Sequence, residues 1–341
     1  MARMKAESCA GRIVLLAKRP GGTSFSSLYT VKRAFKTGKV GHTGTLDSFA
    51  QGLLVICTGS LTRLAGHITQ FSKTYEAVIR FGTETDTLEH TGTAVRTAPL
   101  PNLVDFEAAI ARFTGPLMQK PPAFSAIHVN GKRSSDLARQ GIAAEIPARK
   151  ITVHRAALLD VATDRENRVC AAHVLFEVSK GTYIRSLARD IAVECGSAAH
   201  LAALNRTKVG AFSVEDAAGF HLLAPLSLRL MQAEEAAPCA ENSPPADSEV
   251  ERALQDEIRA QALQMTPELA ASCGFSALVL RTNYETAFRN GVKLSSMLFT
   301  APLTPLINET IAVFTERGTF AGLIQKNTAG RFSYGFVERN F

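Results

Sequence analysis

The chain reads as an α+β protein: a mixed, mainly antiparallel sheet flanked by helices, followed by a small β-domain. Apolar runs of strand length, such as IVLLA and LLVIC, recur between amphipathic segments. Residues 103–114 (LVDFEAAIARFT) carry a clear helical period. From Met265 to Phe341 the chain is rich in Thr, Val and Phe, with turns expected at Asn290-Gly291, Arg317-Gly318 and Ala329-Gly330. A chain of 341 residues can bury a substantial core and divide in two. The expected organisation is a main domain over 1–226, an acidic linker or insertion over 227–264, and the β-domain over 265–341.

Taken in order, Arg12 to Ala17 is apolar and reads as a buried strand. A Pro-Gly-Gly turn follows, then Thr23 or Ser24 as N-cap of an amphipathic helix reaching Phe35. After a Gly-rich loop, LLVICTG reads as strand and SLTRLAGHITQF as helix. Tyr75 to Phe81 alternates in part as a strand does. Further on, a strand ends near Lys180-Gly181, with Thr182 capping a helix that carries Arg185 and Asp190. The segment from Ser227 is acidic and rich in Ala, Ser and Pro, consistent with a linker with a helical end.

Composition narrows the function. Hydrophobic content of 46% and charged content of 20% suit a soluble globular protein. No apolar run nears the roughly 20 residues needed to cross a bilayer. The N-terminal apolar stretch is too short for a signal-peptide core, so a cytoplasmic protein is expected. The six cysteines are scattered, with no CxxC pair, and the eight histidines show no HExxH spacing. Neither a metal nor a disulfide framework is expected. Residues 1–60 hold nine Lys/Arg against two Asp/Glu, whereas residues 225–260 hold three against eight. The basic first segment fits a phosphate backbone, and the acidic one should point away from it.

The most informative stretch is Lys39 to Leu54, KVGHTGTLDSFAQGLL. It holds Gly41, Gly44 and Gly52, and its Asp47 is the sole acidic residue between Glu7 and Glu76. Such an Asp is ordinarily a turn former or helix cap. In this basic field it also suits a nucleophile or base acting on a polyanion. A phosphate-binding P-loop is poorly supported, because the Gly-Lys-Ser/Thr ending is missing.

GHTGTLDSFAQGLL resembles the catalytic signature GHxGTLDPxAxGLL of the TruB family of tRNA pseudouridine synthases. Ser48 stands where the family has Pro, so a less stiff loop is expected. KRPGGTS resembles the family's DKPxGxTS, with Lys18 in place of Asp and Arg19 in place of Lys. The segment from Lys73 resembles a further family element through Lys73, Tyr75, Gly82, Asp86 and Gly92, with Glu89 replacing an Asp. GPLMQKPPAFSAIHVNGKRSSDLARQG resembles another block, with Phe124 and Ser135 where tyrosines are usual. SKGTYIRSLARDI is the second strong match. NGVKLSS and ERGTFAGLIQKNTAGRF look loosely like a PUA-type RNA-binding module; a generic β-domain is the plain alternative.

The resemblance implies isomerisation of uridine 55 in the T loop of tRNA to pseudouridine, with no cofactor. It implies Asp47 as nucleophile, Arg185 as its ion-pair partner, Tyr75 stacking on the target base and Tyr183 beside the uracil. It implies Leu204 packed against the base and His42 filling the gap that the flipped uridine leaves. Lys18, Arg19, Lys132 and Arg133 are expected to meet the RNA. Opposite charges about 4 Å apart at an effective dielectric near 20 attract by roughly 4 kcal/mol before desolvation, enough to orient a carboxylate. A monomer acting on the T-arm stem-loop is expected. One rival reading is a non-catalytic RNA-binding or tRNA-folding protein on the same scaffold. Another, a guide-RNA-dependent relative, is disfavoured by the lack of long Lys-rich tails.

Overall fold

Strand-length apolar runs pair into one nine-stranded sheet, ordered β1 (Ile13–Lys18), β3 (Gln51–Thr58), β12 (Ala199–Val209), β4 (Lys73–Phe81), β11 (Val169–Val178), β10 (Arg149–Thr163), β7 (Gly115–Gln119), with β2 (Val40–His42) on β3 and β13 (Phe212–Ser213) on β12. The computed structural model describes residues 11–228, 248–303, 310–327, 329 and 331–338. The first elements are β1 (Ile13–Lys18), α1 (Ser27–Phe35), β2 (Val40–His42), β3 (Gln51–Thr58), α2 (Ala65–Ile68) and β4 (Lys73–Phe81). Then come β5 (Thr83–Thr85), β6 (Ala94–Thr97), α3 (Leu103–Arg112), β7 (Gly115–Gln119), β8 (His128–Val129), β9 (Lys132–Arg133) and α4 (Ser134–Arg139). The unit closes with β10 (Arg149–Thr163), β11 (Val169–Val178), α5 (Ile184–Glu194), β12 (Ala199–Val209) and β13 (Phe212–Ser213).

Every pairing in this sheet is antiparallel except β12 with β3, which meet through Asn205↔Gln51 and Arg206↔Gly52. That short parallel contact places β12 beside the start of β3, where the Gly-rich loop ends. Alternation along β4 puts Tyr75, Ala77 and Ile79 on one face, packed with Phe106 and Ile110 of α3 and Leu187 and Ile191 of α5. Thr74 and Glu76 face the other way and line a cavity of about 840 Å³ with Asn205 and Thr207. Asp47 does not line it, so this cavity is not the candidate site.

Gly52 explains the close approach. Its φ is +113°, and an added Cβ would lie 2.4 Å from the Arg206 carbonyl oxygen and 2.5 Å from Asn205 Oδ1. Both neighbours belong to a paired strand and have little room to give. We expect Gly52→Ala to cost about 3 kcal/mol through overpacking and backbone strain, measured by urea unfolding. Gly41→Ala, with nothing within 4 Å of the added carbon, should be nearly neutral in the same assay.

Beyond the sheet come α6 (Glu249–Gln261), α7 (Pro267–Ser272), β14 (Ser276–Leu280), α8 (Glu285–Arg289), β15 (Thr310–Thr315), β16 (Phe320–Lys326) and β17 (Phe332–Val337). The last four strands form their own sheet, β14-β15-β16-β17. The α+β expectation with a small C-terminal β-sheet therefore holds. The two sheets share a core: Ile13, Leu15, Leu53 and Val55 cluster with Phe275, Phe314, Phe320 and Phe336.

Local expectations differ from the structure where side chains found other partners. Helix α1 begins at Ser27, and Ser24 turns inward instead of capping it. Thr23 Oγ1 accepts from Ser26 N at 2.9 Å, opening the turn one step earlier. The segment expected as one helix after β3 is a 3₁₀ turn over Gly59–Leu64 and then the short α2; Gly59 and Gly66 weaken helix propensity there. Thr182 Oγ1 donates to Ser179 O at 3.0 Å, and Tyr183 occupies the α5 cap position. Asn290-Gly291 ends α8 and is not a strand turn. Gly330 of the Ala329-Gly330 turn and the acidic stretch 229–247 lie outside the described residues. The helical end of that acidic segment is α6, with Ile258 fully buried against α1 and β1.

Candidate active site

The Gly44–Leu53 loop is held by two cations and a hydroxyl from three separate segments. Arg206 of β12, 2% exposed, donates from Nε to Leu53 O at 2.8 Å, and its two terminal nitrogens reach Thr45 O at 3.3 Å and Gly44 O at 3.2 Å. Lys18, at the end of β1 and equally buried, donates to Ala50 O at 2.7 Å, Arg19 O at 3.0 Å and Ser48 O at 3.2 Å. Ser24 Oγ donates to Leu46 O at 2.9 Å and accepts from Leu46 N at 2.8 Å. The loop's carbonyls, otherwise stranded away from water, are satisfied from outside.

Onto this fixed backbone α5 projects Arg185. Its Nε donates to Asp47 Oδ2 at 2.9 Å and its Nη2 to Asp47 Oδ1 at 3.0 Å, a bidentate pair. Arg185 Nη1 reaches Thr87 O at 2.8 Å, and Nη2 also reaches Phe124 O at 2.9 Å. The Arg185 side chain is 5% exposed and that of Asp47 31%. The guanidinium is therefore enclosed, while the carboxylate keeps an open side. Leu46, Ala50, Tyr75 and Leu204 form part of one buried apolar cluster beside the pair, with Phe49 packed on it.

The remaining expected residues fall into two groups. Tyr183 is half-buried, and Gln119 clamps its backbone: Tyr183 N donates to Gln119 Oε1 at 2.8 Å, and Gln119 Nε2 returns to Tyr183 O at 3.0 Å. The Arg149 guanidinium lies 4.9 Å from the Tyr183 ring centroid. His42 is half-buried on β2, its Nδ1 enclosed without a partner, and burial together with Arg206 lowers its pKa. That favours the neutral ring. Lys132 and Arg133 are exposed on the β8–β9 hairpin, whose following residue Ser134 donates from Oγ to Ala123 O at 2.6 Å, next to Phe124. Arg19 is half-buried.

Lys18 is the departure. Expected at the RNA, it is enclosed with its ammonium occupied by carbonyls. Burial lowers its pKa to about 8, against the raising effect of Asp47. The Ser48 carbonyl accepts from Gly21 N at 2.8 Å as well as from Lys18.

Four contributors escape a reading by residue type: Arg206, Gln119, Ser24 and Glu89. Glu89 is half-buried on the loop after β5, and its pKa is raised by desolvation and by Asp47 while Arg185 opposes the shift. Gly92 closes that loop so tightly that an added Cβ would sit 2.2 Å from Thr87 Oγ1. Thr87 thereby keeps its carbonyl on Arg185.

A prediction follows for Lys18→Met. Its pKa is about 8 in the fold and 10.5 unfolded, so between those values the unfolded chain binds the extra proton. Wild-type stability should therefore gain a contribution as pH rises from about 8 toward 10.5, and the variant should lack it. Turnover should fall about 10- to 100-fold from a loosened loop, chiefly in kcat. Urea unfolding across pH and steady-state kinetics check both.

Comparison with known proteins agrees with this geometry. Residues 32–184 match the family model described as TruB family pseudouridylate synthase, N-terminal domain. A tRNA pseudouridine synthase B from Treponema denticola is 43% identical over 301 residues, covering 83% of this chain and 84% of that protein. Another from Treponema pallidum is 35% identical over 355 residues, covering 95% and 96%. The crystal structure of a Cbf5-Nop10-Gar1 complex contains a chain of the same fold, with a TM-score of 0.62 at 19% identity, covering 96% of this chain and 84% of that one. Fold and site together define a pseudouridylate synthase, an isomerase. Within that class, the chain belongs to the TruB family. Among the described residues no helix is long and apolar enough to cross a membrane, and no cluster of three metal-ligating side chains occurs.

Proposed function

We propose that this protein isomerises uridine 55 in the T loop of tRNA, with Asp47 as the nucleophile. The observation that carries the reading is the bidentate Arg185–Asp47 contact on a loop bearing the family motif. The N1–C1′ bond of the uridine breaks, the uracil turns, and C5 bonds to C1′. C5 gives up its hydrogen as a proton and N1 ends protonated, so atoms balance without a redox partner or cofactor.

Arg185 orients the carboxylate and balances its charge. Tyr75 and Leu204 form the walls that receive the base, and Tyr183 stands beside it on its Gln119 clamp. A base in a folded loop must be extruded, at a cost of a few kcal/mol. His42 stacks in the space vacated, and aromatic faces return about 1–3 kcal/mol per base. Arg19 and the Lys132–Arg133 hairpin meet phosphates, and Lys18 positions the loop from beneath. Residues 1–226 carry the chemistry, 265–341 serves as a PUA-like RNA-binding unit, and the acidic 227–264 linker takes no part in holding the RNA. The protein works as a cytoplasmic monomer.

The test uses the purified protein and an unmodified tRNA transcript, with pseudouridine mapped by carbodiimide labelling and reverse transcription. One stop at position 55, lost when that uridine is replaced by cytidine, is the expected result. Tight tRNA binding with no stop would leave only a binding or folding role.

A further inference from the structure

Helix α1 has three faces, and two are accounted for. Leu28, Val31 and Ala34 are buried in the core with Leu16 and Ile56. Thr30 Oγ1 and Arg33 both bond to Glu251 of α6, and Arg259 of α6 donates to Ala34 O at 3.3 Å. The third face carries Tyr29 and Lys32, one turn apart, with Phe25 in the turn just before the helix and Lys36 just past its end.

The stripe's chemistry is unusual for a merely solvated surface. Phe25 is 59% exposed and Tyr29 49%. Their rings meet edge to face at 5.9 Å, and the Lys32 ammonium lies 5.0 Å from the Tyr29 centroid and 5.5 Å from that of Phe25. Each ring thus has the cation on one side. Among the described residues no carboxylate pairs with Lys32 or Lys36, because the acidic helix α6 sits on the opposite flank.

We propose that this stripe is a stacking platform for unpaired bases of the substrate RNA, with Lys32 and Lys36 meeting the adjoining phosphates. Aromatic rings joined to cations are what sequence-tolerant single-strand binding uses. A protein partner covering the rings would have to bury the Lys32 ammonium with them. The platform is tied to the Asp47 loop through the chain. Phe25 follows Ser24, whose hydroxyl bonds both backbone groups of Leu46, the neighbour of Asp47. Gly21, in the same turn, donates its N–H to Ser48 O on the other side of Asp47. The turn that opens the stripe is thus bonded to the loop on both sides of Asp47. The inference rests on the proposed action on tRNA, and it adds a site beyond the T-loop pocket.

The chain has no tryptophan, so Tyr29→Trp installs a single indole reporter at an exposed position. Saturable quenching of its emission by unmodified full-length tRNA transcript is expected, weakening with added salt. The double variant Phe25→Ser/Tyr29→Gln should bind that tRNA roughly 5- to 100-fold more weakly by filter retention. An unquenched indole and unchanged affinity, in protein that still converts uridine 55, would overturn the platform. Absence of conversion by wild type alongside saturable quenching would instead retire the enzymatic reading and leave the RNA surface standing.

Discussion

Asp47→Asn is expected to lower single-turnover pseudouridine formation by about 10⁴-fold or more, while the tRNA dissociation constant changes by less than about threefold. The amide keeps the shape and one acceptor for Arg185, so the loop and its carbonyl anchors stay in place. What disappears is the charged oxygen that the proposed reaction needs. Because Arg206, Lys18 and Ser24 hold the backbone independently, a loss confined to chemistry is the signature to look for. Rapid-mixing assays with excess enzyme, paired with filter binding, separate the two quantities. A variant within tenfold of wild type would remove Asp47 from the nucleophile's role.

Arg185→Met should have the largest combined effect. The side chain serves four acceptors: both oxygens of Asp47 and the carbonyls of Thr87 and Phe124. Truncation leaves those carbonyls and the inner side of the carboxylate without a donor in an enclosed place. Breaking a buried pair in this way costs about 3–5 kcal/mol, and the partial exposure of Asp47 argues for the lower end. Turnover should drop more than about 10³-fold, since an unheld carboxylate loses its attack geometry. Arg185→Lys should recover part of the stability but little of the rate. A single ammonium cannot reproduce the planar fork that binds two carboxylate oxygens and two carbonyls together. Urea unfolding and single-turnover rates give the two readouts.

The parts of the site legible in the sequence were those with chemistry written in residue type and spacing. Asp47 was conspicuous as the lone acid of a basic, glycine-rich stretch, and Arg185 lay in the second strong motif. The α+β class followed from strand-length apolar runs, because burying such runs leaves few alternatives to a sheet. What stayed hidden works through backbone carbonyls, which carry no residue signature. Lys18 looks like any surface lysine until Ser48 O and Ala50 O are found around it. Arg206 lies more than 150 positions from Leu53, and only the short parallel pairing of β12 with β3 brings them together. Ser24 looked like a helix cap because serine before an amphipathic run usually is one; a tertiary partner at Leu46 claimed its hydroxyl. The core shared by the two sheets was equally hidden, since Phe314 and Phe336 read as the interior of a separate β-unit.

The most direct measurement is tritium release from a tRNA transcript carrying C5-tritiated uridine, with the purified protein as the sole addition. One equivalent of position-55 tritium released per tRNA, at a rate abolished by Asp47→Asn, is the expected result. Saturated binding with no release above the Asp47→Asn background would contradict it.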